Sequence, residues 1–331
     1  MTLRFALLGA GRIGKVHARA VASNPQARLV AVADAFEKAA KDLASAYGAE
    51  VRTIDAIEKA GDIDAVIICT PTDTHADLIE RFAKAGKAIF CEKPIDLSVK
   101  RVEKCLAVVD KTNATLMVGF NRRFDPHFAA VRKAIDDGAI GSVEMVTITS
   151  RDPGPPPLDY IARSGGIFRD MTIHDFDMAR FLLGEEPVAV SAHASVLVDK
   201  KIGEAGDFDS VSVILETASG KQAVISNSRR ATYGYDQRIE VLGEKGLVSA
   251  ENLRATNVEI ANAEGYRREP LLNFFMTRYT EAYRAEIAAF IATIAAGKPV
   301  SPSGEDGLRA LLLADAALRS AKEKRAVEVA A

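Results

Sequence analysis

No CxxC pair occurs in this chain, and its three cysteines, Cys69, Cys91 and Cys105, are an odd number. That combination argues against a disulfide framework and a cysteine-based zinc site, and it points to a reduced, cytoplasmic setting. Cys69 and Cys91 each end an apolar run, which reads as a buried small side chain. An excess of one charge is also missing. The 43 basic and 45 acidic residues leave a formal net charge of -2, and the basic residues are dispersed. Such a surface gives no electrostatic reason to bind nucleic acid or a membrane. No apolar run reaches the roughly 18 residues of a membrane span. The nearest, Ile287–Ala296, is short and alanine-rich. The first residues lead from a short apolar run straight into a glycine motif, so no signal peptide is expected. No second histidine stands at a ligand spacing from His174, so Asp170, His174, Asp175 and Asp177 do not read as a metal site.

What is present is a well-mixed globular composition, 48% hydrophobic and 27% charged over 331 residues. That length suggests two domains. Over the first 120 residues, short apolar runs alternate with amphipathic stretches. The runs are Leu3–Leu8, Leu29–Ala33, Ala65–Cys69, Ala88–Cys91 and Leu116–Phe120; the helix-like stretches lie near 13–24, 36–47, 74–86 and 98–112. Runs that are apolar throughout fit strands buried on both faces, and the alternation predicts βαβ units in a doubly wound parallel sheet.

After about residue 140 the pattern changes. Val143–Thr149, Val188–Val198, Val211–Leu215, Gln222–Ser226, Ile239–Leu242 and Val258–Ala261 are strand candidates with few helices between them. They predict a mainly antiparallel sheet with one covered face. Pro153-Gly-Pro-Pro-Pro157 fits neither helix nor central strand and reads as a surface loop. Helices are expected at 274–297 and 305–322.

Gly9-Ala-Gly11-Arg12-Ile13-Gly14 follows the first run and opens a helix. Alone this GxGxxG pattern is weak; in a βαβ frame each glycine has a task. Gly9 allows the tight turn, Gly11 lets backbone approach a pyrophosphate, and Gly14 lets helix and strand pack closely. The helix N-terminus then offers free N–H groups to the phosphates. Asp34 ends the second run, 20 residues after Gly14, where an acid accepts hydrogen bonds from the adenosine ribose. A 2′-phosphate there meets like charge, and Ala35 and Phe36 supply no cation, so NAD is favoured over NADP. Thr70-Pro71-Thr72-Asp73-Thr74-His75 follows the third run; it suits either contact with the nicotinamide end of the cofactor or helix capping by Asp73 or Thr74.

Glu92-Lys93-Pro94 ends the fourth run, at the carboxyl edge where open α/β sheets bind ligands. In Gly165-Gly-Ile-Phe-Arg-Asp170-Met-Thr-Ile-His174-Asp-Phe-Asp177, a helix would put Asp170 and His174 on one face at i, i+4. A carboxylate beside an imidazole fixes its tautomer and stabilises its protonated form.

With Gly119-Phe-Asn-Arg122-Arg-Phe-Asp125 added, these motifs resemble the Gfo/Idh/MocA oxidoreductases across essentially the whole chain, and within that family its inositol 2-dehydrogenases. Tyr233-Gly-Tyr235-Asp236 and Arg278-Tyr-Thr-Glu-Ala-Tyr283 support the narrower likeness. The resemblance implies an NAD-binding Rossmann domain over 1–120. It implies a substrate-binding and oligomerising α/β domain with an open, mainly antiparallel sheet over 121–331, and leaves open whether the last helix packs back on the first domain. It implies homo-oligomers built on that sheet, tetramers ahead of dimers. It places Lys93, Asp170 and His174 on the catalytic positions and Glu92 and Lys93 beside the cofactor. Arg122, Asp152 and Tyr235 join the catalytic three as candidates for holding a cyclic polyol. The implied reaction is NAD-dependent oxidation of a secondary hydroxyl, with myo-inositol ahead of scyllo-inositol and other sugars.

Overall fold

The computed structural model describes residues 2–330. They form two compact units. One holds the residues up to Asp125 together with Glu281–Leu311; the other holds Pro126–Thr280 and the residues from Leu312 on.

In the first unit six parallel strands run in the order β3-β2-β1-β4-β5-β6. They are β1 (Leu3–Leu8), β2 (Ala27–Ala33), β3 (Glu50–Val51), β4 (Ala65–Ile68), β5 (Ala88–Cys91) and β6 (Leu116–Val118). Helices α1 (Arg12–Ala22), α2 (Glu37–Tyr47), α3 (Ile54–Lys59), α4 (His75–Lys84) and α5 (Val99–Thr112) cross over between them. All four β4 residues are buried, as a central parallel strand covered on both faces requires. The two-residue β3 has no long apolar run, which is why the sequence pattern passes over it.

The second unit carries a seven-stranded sheet that is mainly antiparallel, with β7 and β10 as its parallel pair. Its strands are β7 (Val143–Arg151), β8 (Pro187–Ser195), β9 (Ser210–Thr217), β10 (Gln222–Ser228), β11 (Asp236–Gly243), β12 (Gly246–Ala250) and, from the chain's end, β15 (Val327–Glu328). A separate hairpin pairs β13 (Glu259–Asn262) with β14 (Gly265–Arg268). One sheet face is apolar and buried, through Val146, Ile148, Val213, Leu215, Ala223, Ile225, Ile239 and Val241. Of its helices α6 (Pro126–Asp136), α7 (Leu158–Ser164), α8 (Ile173–Leu183) and α9 (Lys200–Glu204), α8 packs on β7 and β10. On β9 buried and exposed residues alternate strictly, the period-2 signature of a sheet with one covered face.

The expected helix over 274–297 is broken into α10 (Phe275–Arg278) and α11 (Thr280–Ala296). The sequence reading placed this segment with the second domain, but most of α11 belongs to the first unit. The reason is apolar: Ile287, Phe290 and Ile291 are buried with Leu7, Val32, Ile67 and Phe90 in one core. Phe290 meets Phe5 and Phe90 with ring centroids 6.3 and 5.8 Å apart. Burying each such side chain contributes about 1.5–3 kcal/mol. The final helix α12 (Gly304–Glu323) begins in the first unit, where Gly307 lies so close to Ile95 that a Cβ would be 3.0 Å from its Cδ1. As expected, 153–157 forms neither helix nor strand.

Candidate active site

In the first unit the carboxyl ends of the strands bring the sequence-predicted residues to one edge. The ladder continues one residue past β1, β4 and β5. Gly9 N donates to Ala33 O at 2.8 Å, Cys69 N to Leu8 O at 2.7 Å and Glu92 N to Ile68 O at 3.0 Å. The glycine turn, Asp34, Thr70 and Glu92-Lys93-Pro94 are therefore held side by side, flanking the β1/β4 switch point of the sheet.

Two of the three glycines in the turn have no room for a side chain. Gly9 sits at φ 97°, and a Cβ there would reach 2.5 Å from Cys69 O. A Cβ on Gly14 would run into the Gly9 carbonyl oxygen. A Cβ on Gly11 meets nothing within 4 Å, so the space before it is open. Arg12 and Ile13 start α1, with Arg12 exposed. Asp34 accepts from Ala10 N at 2.6 Å through Oδ2 and from Phe36 N at 2.7 Å through Oδ1. These bonds tie the acid to the glycine turn and leave lone pairs for ribose hydroxyls. Phe36, beside it, is 78% exposed and was not singled out from the sequence as a binding residue.

Pro71 and Thr72 enter a short 3₁₀ turn, Thr72–Thr74. The capping reading fails: no side chain caps α4, and Thr74 Oγ1 instead donates to Pro71 O at 2.7 Å and lies 2.6 Å from Thr70 Oγ1. His75 is 2% exposed, with Nδ1 2.8 Å from Pro94 O and Nε2 2.8 Å from Thr70 O. Lys93 is half-buried in the turn after β5. Arg122 lies in the turn Asn121–Phe124 after β6 and is buried.

In the second unit the remaining candidates gather at one end of the sheet. Asp152 follows β7, and its N–H donates to Ser228 O at the end of the parallel neighbour β10 at 2.9 Å. Tyr235 immediately precedes β11 and is buried, its ring centroid 6.0 Å from those of Phe274 and Tyr279. Asp170 does not stand on a plain α-helix. A π-helical turn, Phe168–Thr172, precedes α8, a feature frequent at functional sites. Asp207 accepts from Ile167 N at 2.9 Å where this turn begins, and Gly166 at φ 83° is the residue that fits beside it.

Two groups that sequence reasoning missed hold Asp170. Tyr160 Oη donates to its Oδ1 at 2.8 Å, and buried Arg229 Nη1 stands 3.3 Å from its Oδ2. Arg229 also lies 3.6 Å from Asp207. Burial raises the Asp207 carboxyl above its ordinary value, against backbone N–H bonds and the Arg229 charge. Residues 59 apart in sequence leave no local pattern, so only their side-chain types could have hinted at this pair. His174 is half-buried, while every other residue from Met171 to Arg180 is buried. His174 is thus the one residue of that run with partly open surface, although its Nδ1 is buried.

The cysteines are not candidates. All three are free and buried. Burial pushes the Cys69 and Cys91 thiols well up and Cys105 up to about 12. No described helix is long and apolar enough to cross a membrane.

The chain matches an oxidoreductase family model with an NAD-binding Rossmann fold over residues 3–120, and the Gfo/Idh/MocA C-terminal domain over 128–249. It belongs to the Gfo/Idh/MocA oxidoreductase family. Among curated members, an inositol 2-dehydrogenase of Rhizobium meliloti is 75% identical over 330 residues, 100% of both chains. A crystal structure of a myo-inositol dehydrogenase from Corynebacterium glutamicum superposes with a TM-score of 0.97 at 47% identity, covering 100% of both chains. A scyllo-inositol dehydrogenase from Lactobacillus casei, solved with NAD(H) and scyllo-inositol, gives 0.91 at 29% identity, again covering 100% of both chains.

For this family member, the open space at Gly11 and the acid at Asp34 fit NAD. Asp34→Ala is expected to weaken NAD more than NADP, because it removes the ribose acceptor and also the like charge that opposes a 2′-phosphate. Michaelis constants for both cofactors check this. An equal change in both would remove Asp34 from the ribose site.

Proposed function

We propose that this chain oxidises a secondary hydroxyl of a cyclic polyol with NAD, and that its preferred reaction converts myo-inositol to 2-keto-myo-inositol. The observation that carries the reading is the 75% identity, over full length, to an inositol 2-dehydrogenase. Oxidising an alcohol requires removing the hydroxyl proton as hydride leaves the same carbon. His174 takes the proton, with Asp170 stabilising the imidazolium that forms. Lys93 donates a hydrogen bond to the reacting oxygen as negative charge develops on it. The Tyr160 and Arg229 contacts hold the Asp170 carboxyl in place for that task. When bound, NAD supplies the hydride acceptor; Gly9, Gly11, Arg12, Ile13, Gly14, Asp34, Thr70, Pro71, Thr72 and Glu92 line its place. Arg122, Asp152 and Tyr235 hold further hydroxyls, and a site that pairs each hydroxyl rejects analogues lacking one.

An NAD-reduction assay over myo-inositol, scyllo-inositol, D-chiro-inositol and glucose tests this. Myo-inositol is expected to give the highest kcat/KM. Preference for scyllo-inositol would keep the chemistry and change the isomer; no reduction with any cyclic polyol would overturn the reading.

Two further parts belong to the same proposal. The enzyme works in the cytoplasm, in inositol catabolism. It is also a homo-oligomer, with a tetramer favoured. Supporting the latter, Met145, Ile214, Leu242 and Leu247 are exposed large apolar residues on sheet strands.

A further inference from the structure

We infer that His17 and His75, two buried histidines outside the catalytic set, brace the Glu92-Lys93-Pro94 turn from its two ends and so position Lys93. The inference rests on the reading of Lys93 as the residue that acts on the substrate hydroxyl.

His17 lies on α1, three residues after Gly14, and is fully buried. Its ring sits edge-on to Phe90 and Tyr283, with centroids 5.0 and 5.5 Å away. An imidazole in such a place costs stability unless it is paired. Its partner is Glu92: Nε2 stands 2.6 Å from Oε1. The contact is within hydrogen-bond distance and ties the ring to the carboxyl. Gly119 closes the other side, since a Cβ there would lie 3.2 Å from the Glu92 carboxylate. Glu92 is thus held between the dinucleotide helix and the end of β6.

His75 does the corresponding work on Pro94. Its ring spans the turns after β4 and β5, 2.8 Å from Thr70 O and 2.8 Å from Pro94 O. A neutral ring donates from only one nitrogen, so one of the two carbonyls takes the hydrogen bond and the ring lies against the other. Lys93 is the one residue between the two braced ones. A lysine has a long, flexible stem, so the placement of its ammonium depends on the backbone that carries it. Misplacement of a catalytic group by about 1 Å can cost on the order of a hundredfold in rate.

The test uses the full-length enzyme and four kinds of variant. His17→Leu and His75→Leu keep bulk and lose the polar contact. His17→Gln carries an amide nitrogen near the position of Nε2, and His17→Asn is one methylene too short to reach Glu92. Lys93→Ala is the reference. Kcat with myo-inositol is measured beside the affinity and stoichiometry of NAD by titration calorimetry.

The expected result is a fall in kcat of about tenfold or more for each Leu variant, with NAD binding at one per chain and its Kd within about threefold of wild type. His17→Gln should recover most of the loss and His17→Asn should not. A merely structural loss lowers NAD stoichiometry together with kcat and is blind to the Gln/Asn difference; that pattern overturns the inference. So does unchanged kcat in either Leu variant, or weaker NAD binding at unchanged kcat in His75→Leu, which would make His75 a cofactor ligand. Should a Leu variant fail to fold, the comparison of Gln with Asn decides, and equal kcat in the two overturns the brace. If Lys93→Ala retains full activity, the catalytic reading itself fails; if only Lys93→Ala is impaired, the brace alone fails.

Discussion

Lys93→Ala and His174→Ala are each expected to lower kcat with myo-inositol at least about a hundredfold, or about 2.7 kcal/mol of barrier, while NAD still binds. The two losses have different origins. In the proposed mechanism, loss of His174 removes the group that takes the hydroxyl proton as the carbon–hydrogen bond breaks, and loss of Lys93 removes the donor to the developing negative oxygen. Neither side chain builds the glycine turn: Lys93 sits in the turn after β5 and His174 on α8 in the other unit. Calorimetric titration of NAD against each variant, beside steady-state rates, separates chemistry from binding. Undiminished turnover in either variant would remove that residue from the catalytic set.

The second large effect concerns the glycine turn. Gly14→Ala is expected to raise the Kd for NAD by at least about tenfold and to cost about 1–3 kcal/mol of stability, the usual range for overpacking. The added methyl meets backbone, the Gly9 carbonyl oxygen, and lies 3.3 Å from Leu7 Cδ2. Backbone cannot rotate aside as a side chain can. Gly9 cannot retreat either, because it is packed on Cys69 O. The start of α1 must therefore move off β1, and with it the N–H groups aimed at the phosphates. Gly11→Ala is the informative partner. Its methyl meets no protein atom within 4 Å, so the melting temperature should hold while NAD binding falls. Wild-type NAD affinity in Gly14→Ala would defeat this account of the turn.

Much of the first unit was legible because its signals are local. An all-apolar run such as Ala65–Ile68 fits a strand covered on both faces, and its alternation with helical stretches predicts the parallel sheet. The glycine spacing and Asp34 are read within one βαβ unit, so their side-by-side placement follows from strand order alone. Alternation on β9 likewise announced a sheet with one covered face.

Long-range contacts were decided only by the tertiary structure. Whether α11 serves the first or second unit depends on which core Phe290 and Ile287 fill, and an apolar helix face does not name its partner. The π-helical turn under Asp170, which begins beside the Asp207–Ile167 bond, is not announced by the i, i+4 spacing of Asp170 and His174. Arg229 and Tyr160 reach Asp170 from other elements. His17 and Glu92 are 75 residues apart, yet their side chains meet at 2.6 Å. Sequence by itself determined which chemical groups stand at strand ends, because periodicity and turn chemistry act over a few residues. Folding decided which of them are held by neighbours, because a side chain's partners depend on the packing of elements distant in the chain.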